Sequence, residues 1–222
     1  MYSDSQCAQF RNRLDQFAPD HHVRERTLAL YSASIAFADP PAQQILLERA
    51  SRDRISPESF YEIILQSHLF LGYPRMLIAA EVWAKAFQYR SNKVTTRPYD
   101  DEEGCRWFER GRKLYAEVYD SNAARLKARV ESFAPEIFRW MIMDGYGKVL
   151  ARPQLPSSVR ELAIVACLTV ENYPKQLHSH IRGALNIGAE RTLVETVVED
   201  LGLAAPGYNT ARDILTRLEP ST

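Results

Sequence analysis

Apolar residues recur at spacings of three and four along the chain, and this periodicity is the strongest constraint on its fold. Phe10, Leu14 and Phe17 begin the pattern near the N-terminus, and similar series follow in every third of the sequence. A half-buried strand would instead alternate apolar and polar residues, and no stretch does so. Only nine of the 222 residues are glycine, which suits helices better than a turn-rich β fold. The sequence therefore predicts an all-α fold.

Proline, glycine and polar clusters predict where the helices begin and end. Ser56-Pro57 is a strong start, because serine caps a helix and proline suits its first position. Gly72-Tyr73-Pro74 is predicted to turn the chain, and Gly145-Tyr146-Gly147 to interrupt the pattern after a helix near 135–144. In the last third we expect helices at about 158–171, 175–186, 190–201 and 207–218.

A polar, proline-containing stretch at 91–103 is predicted to be a linker. It would separate an N-terminal unit, residues 1–90, from a C-terminal domain, residues 104–222.

Two pairs of segments indicate an internal duplication. Arg26-Thr27-Leu28-Ala29 resembles Arg160-Glu161-Leu162-Ala163, which lies 134 residues later. Residues 55–62 resemble residues 188–195 at nearly the same offset. A constant offset with the same helix order favours two tandem repeats. The alternative is that any two helical hairpins share patterns this loose.

The chain has 28 basic and 28 acidic residues and a formal net charge of zero. This balance argues against a nucleic-acid or membrane-surface partner, and it favours self-association as a homo-oligomer. We expect neither a signal peptide nor a membrane span, because the sequence has no apolar run long enough. The cysteines, at positions 7, 105 and 167, lie far apart without zinc spacing. They predict free thiols in a reducing cytoplasm and no metal site.

An ordered series of motifs marks the second half of the chain. It comprises Phe133-x-Pro135-Glu136, Tyr146-Gly147-x-Val149-Leu150-x-Arg152-Pro153-x-Leu155, Arg160-Glu161-Leu162, Gln176-Leu177-x-x-His180-x-x-x-Ala184-Leu185-Asn186-x-Gly188 and Glu195. Over about residues 104–200 this series resembles the carboxymuconolactone decarboxylase family, which includes the alkyl hydroperoxidase D-like proteins. The first half adds Glu62-x-x-x-Gln66 and Gly72-x-Pro74.

The resemblance implies an alkyl hydroperoxidase D-like helical fold, present here as two tandem degenerate repeats. It also implies a homo-oligomer, either a trimer or a dimer of fused repeats. The hydroperoxidase branch needs a C-x-x-C pair before the histidine, but Tyr173 and Gln176 occupy those positions. Thiol peroxidase activity is therefore disfavoured. In the first half Leu47 and Thr27 replace the histidine and glutamate, so no second proton-transfer site is expected there.

For the second half, the resemblance implies a lyase that needs no cofactor and acts on a small carboxylated lactone or a related acid. His180 would be the general acid, because imidazole titrates near neutrality. Glu161 would orient it, and Arg160 or Arg182 would bind a substrate carboxylate. Tyr173 and Gln176 are further candidate substrate contacts.

Each candidate residue has a simpler structural interpretation. Ser158-x-x-Glu161 fits a capping box, in which Glu161 caps its own helix. His180 could be a packed helix residue, Arg160 and Arg182 surface charges, and Tyr173 part of a turn. The rival function is a non-catalytic oligomeric scaffold or ligand-binding protein whose site has decayed.

Overall fold

The computed structural model describes residues 2–89 and 104–218, and within those ranges it contains helices and no strand. The all-α prediction is confirmed. The predicted linker at 91–103 lies outside the described residues. The α-helices are α1 Asp4–Gln16, α2 Val23–Ala36, α3 Pro40–Glu48, α4 Pro57–Ala86, α5 Gly104–Tyr119, α6 Ala123–Glu131, α7 Pro135–Trp140, α8 Ser157–Glu171, α9 Pro174–Asn186, α10 Arg191–Leu201 and α11 Tyr208–Arg217. A π-helix, Met141–Leu150, follows α7, and short 3₁₀ turns occupy Asp120–Asn122 and Gly202–Ala204.

Helices α2 and α8 form the centre of the molecule. Residues 26–36 of α2 and 159–170 of α8 are all buried, and the two helices pack against each other. Helices α3 and α4 pack on α2, while α9 and α10 pack on α8. In addition, α10 contacts α2 and α4 contacts α8. The residues on either side of 90–103 therefore share one hydrophobic core.

Helix α4 begins as the sequence predicts, with Pro57 first and the Ser56 hydroxyl accepting a hydrogen bond from the Ser59 amide. Gly72 breaks its helical geometry at φ 73° and ψ 170°, a left-handed conformation that favours glycine. Among the described helices, α4 is the one whose length and composition would allow it to cross a membrane. Its first half nevertheless lies against α2, α3 and α8, with Glu62 buried in an ion pair.

The predicted break at Gly145–Gly147 is wrong, because a π-helix continues through these residues. Gly147 serves close packing instead of a turn. A Cβ atom at Gly147 would lie 2.0 Å from the Trp107 carbonyl oxygen of α5. One at Gly111 of α5 would lie 2.0 Å from the Ile142 carbonyl oxygen. The two backbones can touch because neither glycine has a side chain, and Tyr146 is buried as a result.

Candidate functional site

A cavity of about 1310 Å³ lies between the C-terminal end of the first part of α4, the segment from α5 to the π-helix, α9 and α11. Leu69 and Phe70 are its lining residues from the first half of the chain. The rest of the wall comes from the second half. It includes His180, which the sequence singled out, together with Gln176 and Arg182.

Glu161 and His180 meet at the wall of this cavity. Oε2 of Glu161, on α8, lies 2.7 Å from Nδ1 of His180, on α9. Both residues are buried, at 3% and 6% exposure. Asn172 closes α8 in a left-handed conformation and Pro174 starts α9, so the two helices return side by side. The structure thus brings together the two residues that the resemblance pairs.

The capping interpretation of Glu161 is wrong. Helix α8 begins at Ser157 after Pro156, and among the described residues no side chain caps its N-terminus. The carboxylate instead accepts the hydrogen bond from His180 Nδ1. This leaves Nε2 of His180 without a protein partner among residues 2–89 and 104–218, and the ring lines the cavity. Phe70 holds the ring from the side in an edge-to-face contact, with centroids 5.4 Å apart.

Gly183, one turn after His180, makes room for this pair. A Cβ atom there would lie 2.7 Å from Cγ1 of Val118 and 3.3 Å from Oε2 of Glu161. Any larger residue would separate α9 from α5 and crowd the carboxylate. The motif series did not include Gly183, because its role depends on the contact between α9 and α5.

Two tyrosines that sequence reasoning did not assign to the site lie in the same wall. The Tyr146 hydroxyl donates to the Tyr119 hydroxyl over 2.9 Å, and both residues line the cavity. Burial, and then the nearby Glu161 carboxylate, raise the Tyr119 pKa above its ordinary value. Burial is also the largest cause of the raised Tyr146 pKa. Both phenols therefore stay protonated, and Tyr119 retains a hydrogen to donate. The i, i+4 spacing of Tyr115 and Tyr119 was the available sequence signal.

Arg160 does not occupy the place expected of a substrate anchor. Its Nη2 donates to Oε2 of Glu62 over 2.8 Å, and Nε of Arg152 donates to the same oxygen over 3.0 Å. Gln66 accepts from Arg160 Nη1 and donates to its backbone carbonyl. Burial lowers the Arg160 pKa from its ordinary value, whereas Glu62 opposes that effect. Arg160 thus belongs to a buried ionic cluster that joins α4 to α8.

The remaining predicted residues divide into two groups. Arg182 and Gln176 line the cavity, together with His178, which was not predicted as part of the site. The His178 pKa is lowered, first by partial burial and then by the Arg182 charge. Tyr173 is about half exposed at the residue before α9 and is not among the lining residues. The interpretation of Tyr173 as part of the turn therefore fits its position.

Cys7 and Cys167 form no disulfide, and neither is among the residues that line the cavity. Burial raises the pKa of the Cys167 thiol well above its ordinary value. It also raises the Cys7 pKa, with Asp39 adding to the effect. Such thiols are poor nucleophiles. The described part of the chain also contains no cluster of three or more His, Cys, Asp or Glu residues that could hold a metal ion.

No family model matches the chain. It is similar to Peroxisomal protein 2 of Saccharomyces cerevisiae, with 28% identity over 90 residues. The match covers 40% of this chain and 32% of the yeast protein. The chain thus spans about a third of the curated relative that it matches.

Proposed function

We propose that the protein is a carboxymuconolactone decarboxylase-like lyase that acts without a cofactor on a carboxylated lactone or a related acid. The observation that carries this proposal is the 2.7 Å contact between Glu161 and Nδ1 of His180 at a cavity wall. A carboxylate that accepts from one ring nitrogen fixes the tautomer and the orientation of the imidazole, while the other nitrogen faces the substrate.

The reaction needs only groups that this chain supplies. When the substrate loses carbon dioxide, the carbon–carbon bond breaks and its electron pair passes into the conjugated lactone carbonyl as a dienolate. Protonated His180 then donates its Nε2 proton to carbon. The neutral ring keeps its proton on Nδ1, which still donates to the Glu161 carboxylate. Solvent then returns a proton to Nε2. The substrate is its own electron sink in this scheme.

Two further side chains have roles in the proposal. Tyr119 can donate a hydrogen bond to the enolate oxygen, because its phenol stays protonated and lines the cavity. Arg182 would bind the substrate carboxylate, because Arg160 is already paired with Glu62. Gln176 is a polar neighbour on the same helix as Arg182.

The tandem-repeat arrangement is part of the proposal, and a pair of contacts supports it. Arg26 of α2 makes two hydrogen bonds of 2.8 Å to Asp200 of α10. Arg160 of α8 approaches Gln66 of α4 at 3.4 Å. Arg160 lies 134 residues after Arg26, and Asp200 lies 134 residues after Gln66. Equivalent residues would thus make equivalent contacts across the α2–α8 pair.

A single working site per chain follows from the same arrangement. Thr27 and Leu47, which stand where the second repeat has Glu161 and His180, are both buried, at 0% and 3% exposure. The Thr27 hydroxyl has no partner among the described residues. Neither residue can transfer a proton at neutral pH, so the first repeat would serve as scaffold.

A second candidate function is non-catalytic ligand binding. It is favoured by the size of the cavity and by the engagement of Arg160 with Glu62, which removes one expected substrate contact. The two functions differ in the need for His180. A lyase loses turnover when the imidazole is removed, whereas a binding protein needs only the cavity.

A screen of unsaturated lactone carboxylates for carbon dioxide release tests the proposal. We expect release with the wild-type protein, a loss of about 100-fold or more in His180→Ala, and a smaller loss in Tyr119→Phe. His68→Ala is a matched control, because His68 bonds the Leu65 carbonyl in α4 and does not line the cavity. Equal rates in wild type and His180→Ala would refute the assignment.

We also propose that the protein assembles into a homo-oligomer and that it is located in the cytoplasm. Exposed Tyr73, Leu77 and Ile78 on α4 support self-association, and light scattering of the purified chain would measure it. The name of the yeast relative makes the peroxisome the rival location. Microscopy of a fluorescent fusion in the source cell distinguishes the two compartments.

A further inference from the structure

The cavity has a long apolar wall formed by α6 and α7. Its lining residues include Leu126 and Val130 of α6, followed by Phe133 just before α7 and by Ile137 and Trp140 within α7. The last three are exposed at 70%, 50% and 60%. Three large apolar side chains beside one opening are unusual on a free protein surface. A small polar lactone would leave most of this wall against water.

The charged residues of the cavity are mainly basic. Five cations line it, and two carboxylates do so, Asp144 and Asp213. The cations are Arg125, Arg129, Lys175, Arg182 and Arg217. Within the described residues none of the five makes an ion pair, although Arg125 donates to the Asn122 side chain. Burial, and then the Arg182 charge, lowers the pKa of His178 in the same wall. The chain as a whole is neutral, so this excess is local.

The size of the cavity agrees with an extended ligand. About 1310 Å³ is above the range of about 300–1,000 Å³ that is common for small-molecule sites. Apolar walls beside unpaired cations favour a ligand with an apolar body and an anionic group.

We propose that this cavity binds an amphiphilic carboxylic acid, with its chain or ring system along α6 and α7 and its carboxylate among the basic residues. The placement of that carboxylate near His180 rests on the proposed function, but the binding itself does not. The inference gives the substrate class of the lyase, or the ligand class of a binding protein.

Isothermal titration calorimetry with three probes tests the inference, each probe kept below its micelle concentration. Dodecanoate has the chain and the charge, butanoate has the charge with a short chain, and dodecyltrimethylammonium has the chain with the opposite charge. We expect saturable one-to-one binding of dodecanoate, at least about 100-fold tighter than that of butanoate because additional methylene groups are buried. The cationic probe should bind at least about 10-fold more weakly than dodecanoate.

A matched pair of double variants tests the basic residues. Arg125→Gln with Arg129→Gln removes two cavity cations from exposed positions on α6 and should weaken dodecanoate about 3- to 10-fold at low salt. Arg106→Gln with Arg112→Gln removes the same charge from exposed positions on α5 outside the cavity lining and should leave the affinity unchanged. Trp140→Ala should weaken dodecanoate and leave butanoate unaffected.

Equal affinity for dodecanoate and butanoate, equal affinity for the two charge types, or multi-site adsorption would overturn the inference. The same conclusion follows if both double variants lose affinity alike. His180→Gln should still bind dodecanoate. Binding without turnover of any acid would therefore refute the lyase and leave this inference standing. Turnover of a lactone acid without dodecanoate binding would support the lyase and refute this inference.

Discussion

The Glu161 carboxylate accepts a 2.7 Å hydrogen bond from Nδ1 of His180, and both side chains are nearly closed to solvent except at the cavity. This bond joins residues 19 apart in sequence on the consecutive helices α8 and α9. Its loss should be measurable without any knowledge of the substrate.

Replacing Glu161 with alanine should lower the free energy of unfolding by about 1–3 kcal/mol, because a buried donor loses its acceptor. Glu161→Gln should cost less, since the amide oxygen can still accept from Nδ1. Urea unfolding measures both values, and Glu136→Ala, at an exposed position on α7, is the control. Equal stability of Glu161→Ala and the control would contradict the contact.

The Glu62 carboxylate pairs with both Arg152 and Arg160, over 3.0 Å and 2.8 Å. Glu62→Gln should therefore reduce the free energy of unfolding by about 3–5 kcal/mol, because the buried Arg160 guanidinium loses its counter-charge and Arg152 loses a buried contact. Glu58→Gln changes the same charge one turn earlier, at an exposed position of α4, and should have little effect. A loss below about 1 kcal/mol in Glu62→Gln would mean that the cluster is hydrated.

Gly111 and Gly145 offer a comparison of the same substitution in crowded and open surroundings. A Cβ atom at Gly111 would meet the Ile142 carbonyl at 2.0 Å, whereas one at Gly145 has no neighbour within 4 Å. Gly111→Ala should destabilise the fold by about 2–3 kcal/mol or more. Gly145→Ala should leave stability within about 1 kcal/mol of the wild type. Thermal unfolding of the two variants would decide, and similar melting temperatures would refute the close packing of α5 on the π-helix.

The His178 pKa is lowered by burial and, next, by Arg182. A histidine with a depressed folded-state pKa makes the protein less stable at acid pH, because the unfolded chain binds the proton more readily. The loss of stability begins as the pH falls through the unfolded-state pKa, near 6.5. Arg182→Gln should remove one of the two causes and raise the His178 pKa toward that value. Titration of the His178 ring protons by NMR measures the change. An unchanged or lower pKa would place Arg182 away from His178.

The sequence predicts the helices well where local signals agree. Ser56 and Pro57 start α4 as expected, and Asn172 and Pro174 separate α8 from α9. The prediction fails at Gly145–Gly147, because the π-helix runs through both glycines and Gly147 provides a close contact with α5. Local patterns cannot distinguish these two uses of glycine.

The residues of the candidate site differ in the same way in how far the sequence places them. Glu161 and His180 were found because both belong to one ordered motif series, and helix pairing then brings them together. Arg160 belongs to the same series, yet it turns toward Glu62, 98 residues earlier. Tyr119 and Gly183 acquire their roles only through contacts between helices. Spacing along the chain contains no information about such partners.

The packing of α2 against α8 has a consequence for how the chain can be divided. Each helix is buried on every side, and the other supplies part of that cover. If the gene were divided within codons 91–103, each of the two polypeptides would expose the apolar surface of its central helix to solvent. The half that carries His180 should then be recovered in soluble form only when it is produced together with the other half, as complementing fragments.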